Sequence, residues 1–279
     1  MPDKALIHCE KLFICMKIML KHRKKHLTIG GRILTRESSK HAVITGGANG
    51  IGRCIAETFL RTGASVTVID MDKQAAETLR DIQFFHGDIA DQAVLESFIH
   101  SLSRPVDYLI NNACVGRGGM LSGCSYEEFE YVQRVGVTAL YYLTSLLHKN
   151  NLFAPGAAII NIASTRAFQS QPDTEAYSAA KGGIVALTHA MAVSLAGQVR
   201  VNCISPGWIE TSDNSEHSEL DKRQHPAGRV GTPADIAEMV LFLCSDKAGF
   251  ITGENIIIDG GMSKLMVYHD DHGWGLEDN

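Results

Sequence analysis

The sequence predicts an α/β protein built on one doubly wound, parallel, seven-stranded sheet in a single domain, and three observations carry that prediction. From Lys40 onward, seven short β-branched runs alternate with longer segments of helical periodicity. No internal repeat, low-complexity segment or Pro/Ser-rich linker interrupts residues 40–268. The chain has 279 residues, 45% hydrophobic and 20% charged, which is enough to bury one sizeable core. Alternation of strand and helix selects parallel strands joined by right-handed crossovers, because each connection must return across a face of the sheet.

The strand runs are Ala42 to Ile44, Val66 to Ile69, Ile82 to Phe85, Val106 to Ile110, Ala157 to Ile162, Val199 to Ile204 and Ile256 to Ile258. A helix begins near Gly50 and is expected to stop at Gly63. Ser125 and Glu128 form a capping box that opens a helix running to about Lys149. Thr232-Pro233-Ala234-Asp235 opens another, with Pro in the first turn.

Charge divides the chain. Residues 1–40 carry ten Lys/Arg against three acids, a net +7, which leaves −12 on the remaining 239 residues of a chain whose net charge is −5. An acidic body speaks against nucleic-acid binding, which needs clustered cations. Residues 1–39 are read as a basic extension, either a disordered tail or an upstream stretch from a misplaced start, since Met16 and Met19 lie within it. The apolar stretch Leu12 to Leu20 is too short to span a bilayer, and the basic cluster Lys21 to Lys25 follows it, unlike a secretory signal. Seven cysteines with no C-x-x-C pair indicate free thiols in a reducing cytoplasm. No metal site is expected; His269-Asp270-Asp271-His272 reads as part of a polar tail, residues 269–279.

Directly after the first strand comes Thr45-Gly46-Gly47-Ala48-Asn49-Gly50-Ile51-Gly52. Such glycines let the backbone turn tightly against a pyrophosphate, whose charge the next helix's amides and dipole would meet. The second strand ends at Asp70, next to Met71 and eighteen residues beyond Gly52. An acid there accepts hydrogen bonds from both hydroxyls of an adenine ribose and repels a 2′-phosphate. No cation beside Asn49 offsets that repulsion, so NAD is expected over NADP. Asp88, followed by Ile89 at the end of the third strand, is placed to meet the adenine amino group.

In Glu175-Ala176-Tyr177-Ser178-Ala179-Ala180-Lys181, the tyrosine and lysine are four apart and share one helical face. A free phenol, with a pKa of about 10, is a poor base at neutral pH, and an adjacent ammonium lowers that value. Tyr177 is then the acid/base that exchanges a proton with a substrate oxygen, and Ser164, thirteen residues earlier, is placed to hold the same oxygen.

Together these residues resemble the short-chain dehydrogenase/reductase family over residues 40–268. The resemblance rests on Thr45 to Gly52, Asn111-Asn112-Ala113, Ser164, Tyr177 to Lys181, Pro206-Gly207-Trp208-Ile209 and Asp259-Gly260-Gly261. It implies a Rossmann sheet and NAD(H)-linked interconversion of a secondary alcohol and a ketone. Asn112 and Ala113 would contact the cofactor, Lys181 would hold the nicotinamide ribose, and Pro206 and the backbone near Ile209 the carboxamide. It also implies a homotetramer or homodimer built on the long helices and last strand, which Gly182-Gly183 would fit by close helix packing.

Two departures stand out. Cys114 follows Asn111-Asn112-Ala113 where the family has glycine, and only a local adjustment is expected. Gly136 stands where the family places an asparagine whose backbone holds a relay water. A glycine there makes room for a neighbouring side chain, or widens the helix so that a water takes the vacated space, or marks reduced activity. Substrate specificity is expected in Arg117 to Gly119, Arg166 to Gln171 and Thr211 to Gln224. The last segment, with Asp213, Glu216, Glu219 and Asp221, favours a small polar substrate such as a sugar or polyol, while Arg117 and Arg166 are candidates for an anionic group. Met262, Leu265, Met266, Val267 and Trp274 are expected to pack on the body or on another subunit. The alternatives are a 3-oxoacyl or hydroxysteroid reductase and, in another class, an NAD-binding sensor with little turnover.

Overall fold

The computed structural model describes residues 39–212, 216–266 and 268. The readings made for the basic extension up to residue 38, for Asp213, for Val267 and for the tail with Trp274 lie outside those residues.

In chain order the elements are β1 (His41–Thr45), α1 (Gly50–Arg61), β2 (Ser65–Asp70), β3 (Gln83–His86), α2 (Gln92–Ser101) and β4 (Val106–Asn111). They continue with α3 (Tyr126–Gln133), a π-helical turn (Arg134–Thr138), α4 (Ala139–Lys149), β5 (Phe153–Ile162) and α5 (Glu175–Ser194). The last are β6 (Val199–Pro206), α6 (Glu219–Arg223), α7 (Pro233–Cys244) and β7 (Asn255–Ile258). All seven strands are parallel, in the order β3-β2-β1-β4-β5-β6-β7. Residues alternate between two cores. Val43, Leu109, Ile159 and Val201 face α2, α4 and α5, while Ala42, Ile44, Ile110 and Ile160 face α1 and α7. Each large aliphatic side chain buried this way contributes about 1.5–3 kcal/mol. Because β1 pairs with β2 on one side and β4 on the other, the chain winds outward in both directions from that pair, and a crevice opens at their carboxyl ends. Among the described residues, no helix is long and apolar enough to cross a membrane.

Both capping signals operate. The Ser125 hydroxyl accepts from the Glu128 amide while Glu128 accepts from the Ser125 amide, and the Asp235 carboxylate reaches back to the Thr232 amide at 2.7 Å. Gly63, with φ of +84°, follows α1 where a stop was expected. Two expectations are corrected. β5 starts at Phe153, not Ala157, because its first residues pair with β4 through a register irregularity that hydrophobic pattern does not reveal. The helix expected from Ser125 to Lys149 is present without interruption over Tyr126–Lys149, and it includes a π-helical turn around Gly136. A Cβ on Gly136 would stand 3.0 Å from the Cβ of Ala180. So the glycine makes room for a neighbour, and the helix is also widened there. Second, the Gly182-Gly183 pair does not need a partner subunit at both positions. A Cβ on Gly183 would meet Val137 Cγ2 at 2.9 Å within the same chain, whereas Gly182 has open space. Leu265 and Met266 are 42% and 74% exposed.

Candidate active site

The turn between β1 and α1 is shaped by contacts that exclude side chains. Gly46 has φ of +66°, and a Cβ there would lie 2.7 Å from the Cα of Ala113. Thr45 Oγ1 accepts from the amides of Asn112 and Ala113, and Asn112 Nδ2 donates to the Gly46 carbonyl at 2.7 Å. Asn49 precedes α1 but does not cap it; its amide points to Asp72. The first turn of α1 holds no acid either, so its amides are left for an anion.

At the end of β2, Asp70 Oδ2 accepts from the Ala48 amide and Oδ1 from the Asp72 amide, both at 2.9 Å, which ties the acid to the glycine turn. A cavity of about 510 Å³ runs from these residues across the carboxyl edge of the sheet. Every residue that the sequence assigned to the cofactor or to catalysis lines it, except Gly52. Gly52 sits behind the turn instead, where a Cβ would fall 2.0 Å from the Gly46 carbonyl oxygen and 2.5 Å from Asn112 Nδ2. A side chain at Gly52 is excluded by this close backbone packing.

The catalytic candidates meet at the other end of the cavity. Ser164 follows β5, and its hydroxyl oxygen accepts from the Arg166 amide at 3.2 Å. Tyr177 and Lys181 lie in the first turns of α5, on one face. Lys181 is 2% exposed. Its Nζ donates to the Ile162 carbonyl at 2.8 Å and stands 5.3 Å from the centroid of the Tyr177 ring. It is also the one Lys or Arg among the described residues lining the cavity, whereas Asp70 and Asp88 line it at the ends of β2 and β3, across β1 and β4 from β5. Beneath the site a side-chain relay crosses three elements: Asn111 donates to Asn161, and Asn161 to Thr188 on α5, each at 2.9 Å. This relay fixes α5 against β4 and β5, and with it the Tyr177/Lys181 face.

The substrate side differs from expectation. Arg117 lies over the Tyr131 ring, 5.6 Å from its centroid, and Arg166 donates to Gln171, so neither guanidinium lines the cavity. Within Thr211 to Gln224, Asp221 caps α6 through Ser218, and Glu219 pairs with Lys222 at 2.7 Å. Trp208 stands about a third exposed between His217 and His225, with ring centroids 5.4 and 6.0 Å away.

Three residues were missed. Asp173, at φ of +65°, gathers the amides of Gly119, Leu121 and Ser122 on one oxygen at 2.8–3.0 Å. Glu175 takes the Met120 amide at 3.1 Å. A Cβ on Gly119 would stand 1.8 Å from Glu175 Oε2, so the loop after β4 is clamped onto the start of α5, just before Tyr177. Hydrogen bonding by the Ser122 side chain, then by its amide, holds the Asp173 carboxyl below the usual range. No local pattern in the sequence signals this clamp, whose partners stand 54 positions apart. The other missed residue is Tyr131, whose hydroxyl donates to Asp88 Oδ2 at 2.8 Å; nothing in the local sequence signals it.

The glycine cradle, the uncapped helix start and the strand-end acid fit a dinucleotide. A family model described as Enoyl-(Acyl carrier protein) reductase matches residues 46–263. An uncharacterised oxidoreductase of Thermotoga maritima is 45% identical over 252 residues, covering 83% of this chain and 98% of that protein. The chain belongs to the short-chain dehydrogenase/reductase family. Among solved structures of this family, an apo SCOR enzyme from Clostridium thermocellum is 49% identical with a TM-score of 0.78, over 87% of this chain and all (100%) of that one. A 3-ketoacyl-(acyl-carrier-protein) reductase from Brucella melitensis, complexed with NADH, is 31% identical with a TM-score of 0.71, over 80% of this chain and 98% of its own. This chain is thus an oxidoreductase of the short-chain dehydrogenase/reductase type, acting on CH–OH.

Proposed function

We propose that this short-chain dehydrogenase/reductase uses NAD to interconvert a small polar secondary alcohol, such as a sugar or polyol, and its ketone. One observation carries the reading: among the described residues the cavity is lined by the carboxylates Asp70 and Asp88 and by one Lys or Arg, Lys181, which stands beside Tyr177. Asp70 would accept from ribose hydroxyls and repel a 2′-phosphate, which supports NAD over NADP. The cradle of Gly46, Asn49, Gly50 and Ile51 with Asn112 and Ala113 would hold the pyrophosphate side, and Pro206 and Ile209 the nicotinamide side. When bound, the nicotinamide supplies or takes up the hydride.

The chain's own residues move the proton. Tyr177 gives it to, or takes it from, the substrate oxygen, Ser164 holds that oxygen, and the buried Lys181 ammonium faces the ring on which negative charge develops. The polar segment around α6 supports a small polar substrate. Exposed Tyr126 and Tyr141 on α3 and α4, with Phe250, Leu265 and Met266, support self-association as a homodimer or homotetramer. Because the described cysteines are all free thiols, the reading includes a cytoplasmic setting.

A second reading, a 3-oxoacyl reductase, is favoured by the likeness to the 3-ketoacyl-(acyl-carrier-protein) reductase of Brucella melitensis. Following NADH absorbance across sugars, polyols, hydroxy acids, hydroxysteroids and 3-oxoacyl thioesters tests both. Turnover of polyols or sugars with NAD is expected. Turnover confined to acyl thioesters would replace the substrate reading, and tight NADH binding without turnover of any member would favour a sensor.

A further inference from the structure

Tyr131 lies on α3, half-buried, and lines the same cavity as Asp88. Its hydroxyl donates to Asp88 Oδ2 at 2.8 Å, while Asp88 Oδ1 accepts from the Ala90 amide at 2.9 Å. Both carboxylate oxygens are therefore pinned, one by its own loop and one by a side chain 43 positions along the chain. Each oxygen accepts in about two directions, so each keeps an acceptor site to offer. A carboxylate held by one neighbour alone would be free to turn about its last bond, and a ligand's donor would have to order it on binding.

The phenol is itself held. The guanidinium carbons of Arg117 and Arg134 stand 5.6 and 6.0 Å from the centroid of its ring, within cation–π range. Arg117 belongs to the loop that Asp173 clamps to the start of α5. Burial, and then the bond to Asp88, raises the Tyr131 pKa above its ordinary value, so the hydroxyl remains a donor at neutral pH.

We infer that Tyr131 is a positioning residue for the adenine end of the cofactor: by pinning Asp88 it presets the carboxylate to accept from an exocyclic amine. The inference rests on the reading of this cavity as an NAD site. A residue that merely walls the cavity would contact any purine alike. A residue that acts through Asp88 matters only to a purine carrying the amine.

The test compares NADH with reduced nicotinamide hypoxanthine dinucleotide, in which a carbonyl replaces the adenine amine, by fluorescence titration of the full chain. Wild type is expected to bind NADH more tightly than the hypoxanthine form. Tyr131→Phe keeps the ring beside the two arginines and removes only the donor. It should weaken NADH binding about 2- to 10-fold, the equivalent of one net hydrogen bond, and leave the hypoxanthine form within about 2-fold of wild type. Asp88→Asn should abolish most of the preference, and adding Tyr131→Phe to it should change nothing further. Melting curves check that each variant folds. If Tyr131→Phe is destabilised, the loss of preference in Asp88→Asn and its insensitivity to the second change still decide the matter. An unchanged NADH preference in Tyr131→Phe, or an equal loss for both ligands, overturns the role of Tyr131. A wild type that binds both ligands equally overturns the assignment of Asp88 to adenine, and the inference with it, while NADH binding itself still stands. Failure to bind either ligand refutes the NAD site.

Discussion

Replacing Gly136 with alanine sets two effects of similar size against each other. Alanine is favoured over glycine in a helix by about 1 kcal/mol. Against that, the new Cβ would stand 3.0 Å from the Cβ of Ala180, short of the roughly 3.5–4.0 Å of a relaxed carbon contact. Neither atom can rotate away, because a Cβ is fixed by its backbone. The π-helical turn or α5 must therefore shift, at an overpacking cost of about 1–3 kcal/mol. The expected net result for Gly136→Ala is a loss of about 0–2 kcal/mol. Ala180→Gly alone should cost about 2 kcal/mol, from helix propensity and one buried methyl. In the double variant the clash is gone and the alanine at 136 restores about 1 kcal/mol. The coupling between the sites is then about 1–3 kcal/mol, measurable by urea unfolding of the four proteins. Additivity within about 0.5 kcal/mol, or a Gly136→Ala variant more stable than wild type, would refute the packing argument.

Other consequences are as direct. Asp173→Asn keeps an acceptor but removes the charge that strengthens its three amide bonds, so the KM for substrate should rise about 3- to 10-fold with NADH affinity unchanged; a fall in NADH affinity alone would show the clamp serves the cofactor. Because the folded Asp173 value lies below 3.8, the clamp is intact above that pH and is lost only as pH falls through the lowered value. Asp70→Asn should narrow the preference for NADH over NADPH by about 10-fold or more, by removing a like charge. It should also weaken NADH itself, since Ala48 and Asp72 both donate to that carboxylate; paired titrations decide. Burial depresses the His41 imidazole below 6.5, so the unfolded chain takes up the proton first. Its contribution is complete above pH 6.5 and is lost as pH falls toward the folded value. In His41→Gln the urea midpoint should fall less steeply below that pH, and an unchanged slope would discount His41.

What the sequence made legible was local or periodic. Val43 and its neighbours show a strand because β-branched residues run together, and Tyr177 and Lys181 show a shared face because four residues make about one helical turn. Thr45 to Gly52 and Asp70 are legible because a glycine turn and a strand-end acid have only a few physical uses. Gly52 was placed against the ligand because a glycine permits any close approach, and only the structure shows that the approach is to the Gly46 carbonyl. The crowding at Gly136 comes from Ala180, a residue on another helix. The Asp173 clamp and the Tyr131 bond span 54 and 43 positions, and no pattern within one element records contacts of that kind. Arg117 was read as a candidate for substrate because it lies in a loop; the tertiary fold turns it onto an aromatic ring instead.

The central claim is that Tyr177 moves the proton while the rest of the cavity holds the cofactor. Tyr177→Phe removes one oxygen and leaves the cradle, Asp70 and Lys181 in place. On whichever alcohol wild type oxidises with NAD, the variant's kcat should fall by about 10²–10⁴, the usual worth of a positioned acid/base. Its Kd for NADH should stay within a few-fold of wild type, because Lys181 remains tied to Ile162. Turnover near the wild-type rate in Tyr177→Phe would contradict the account.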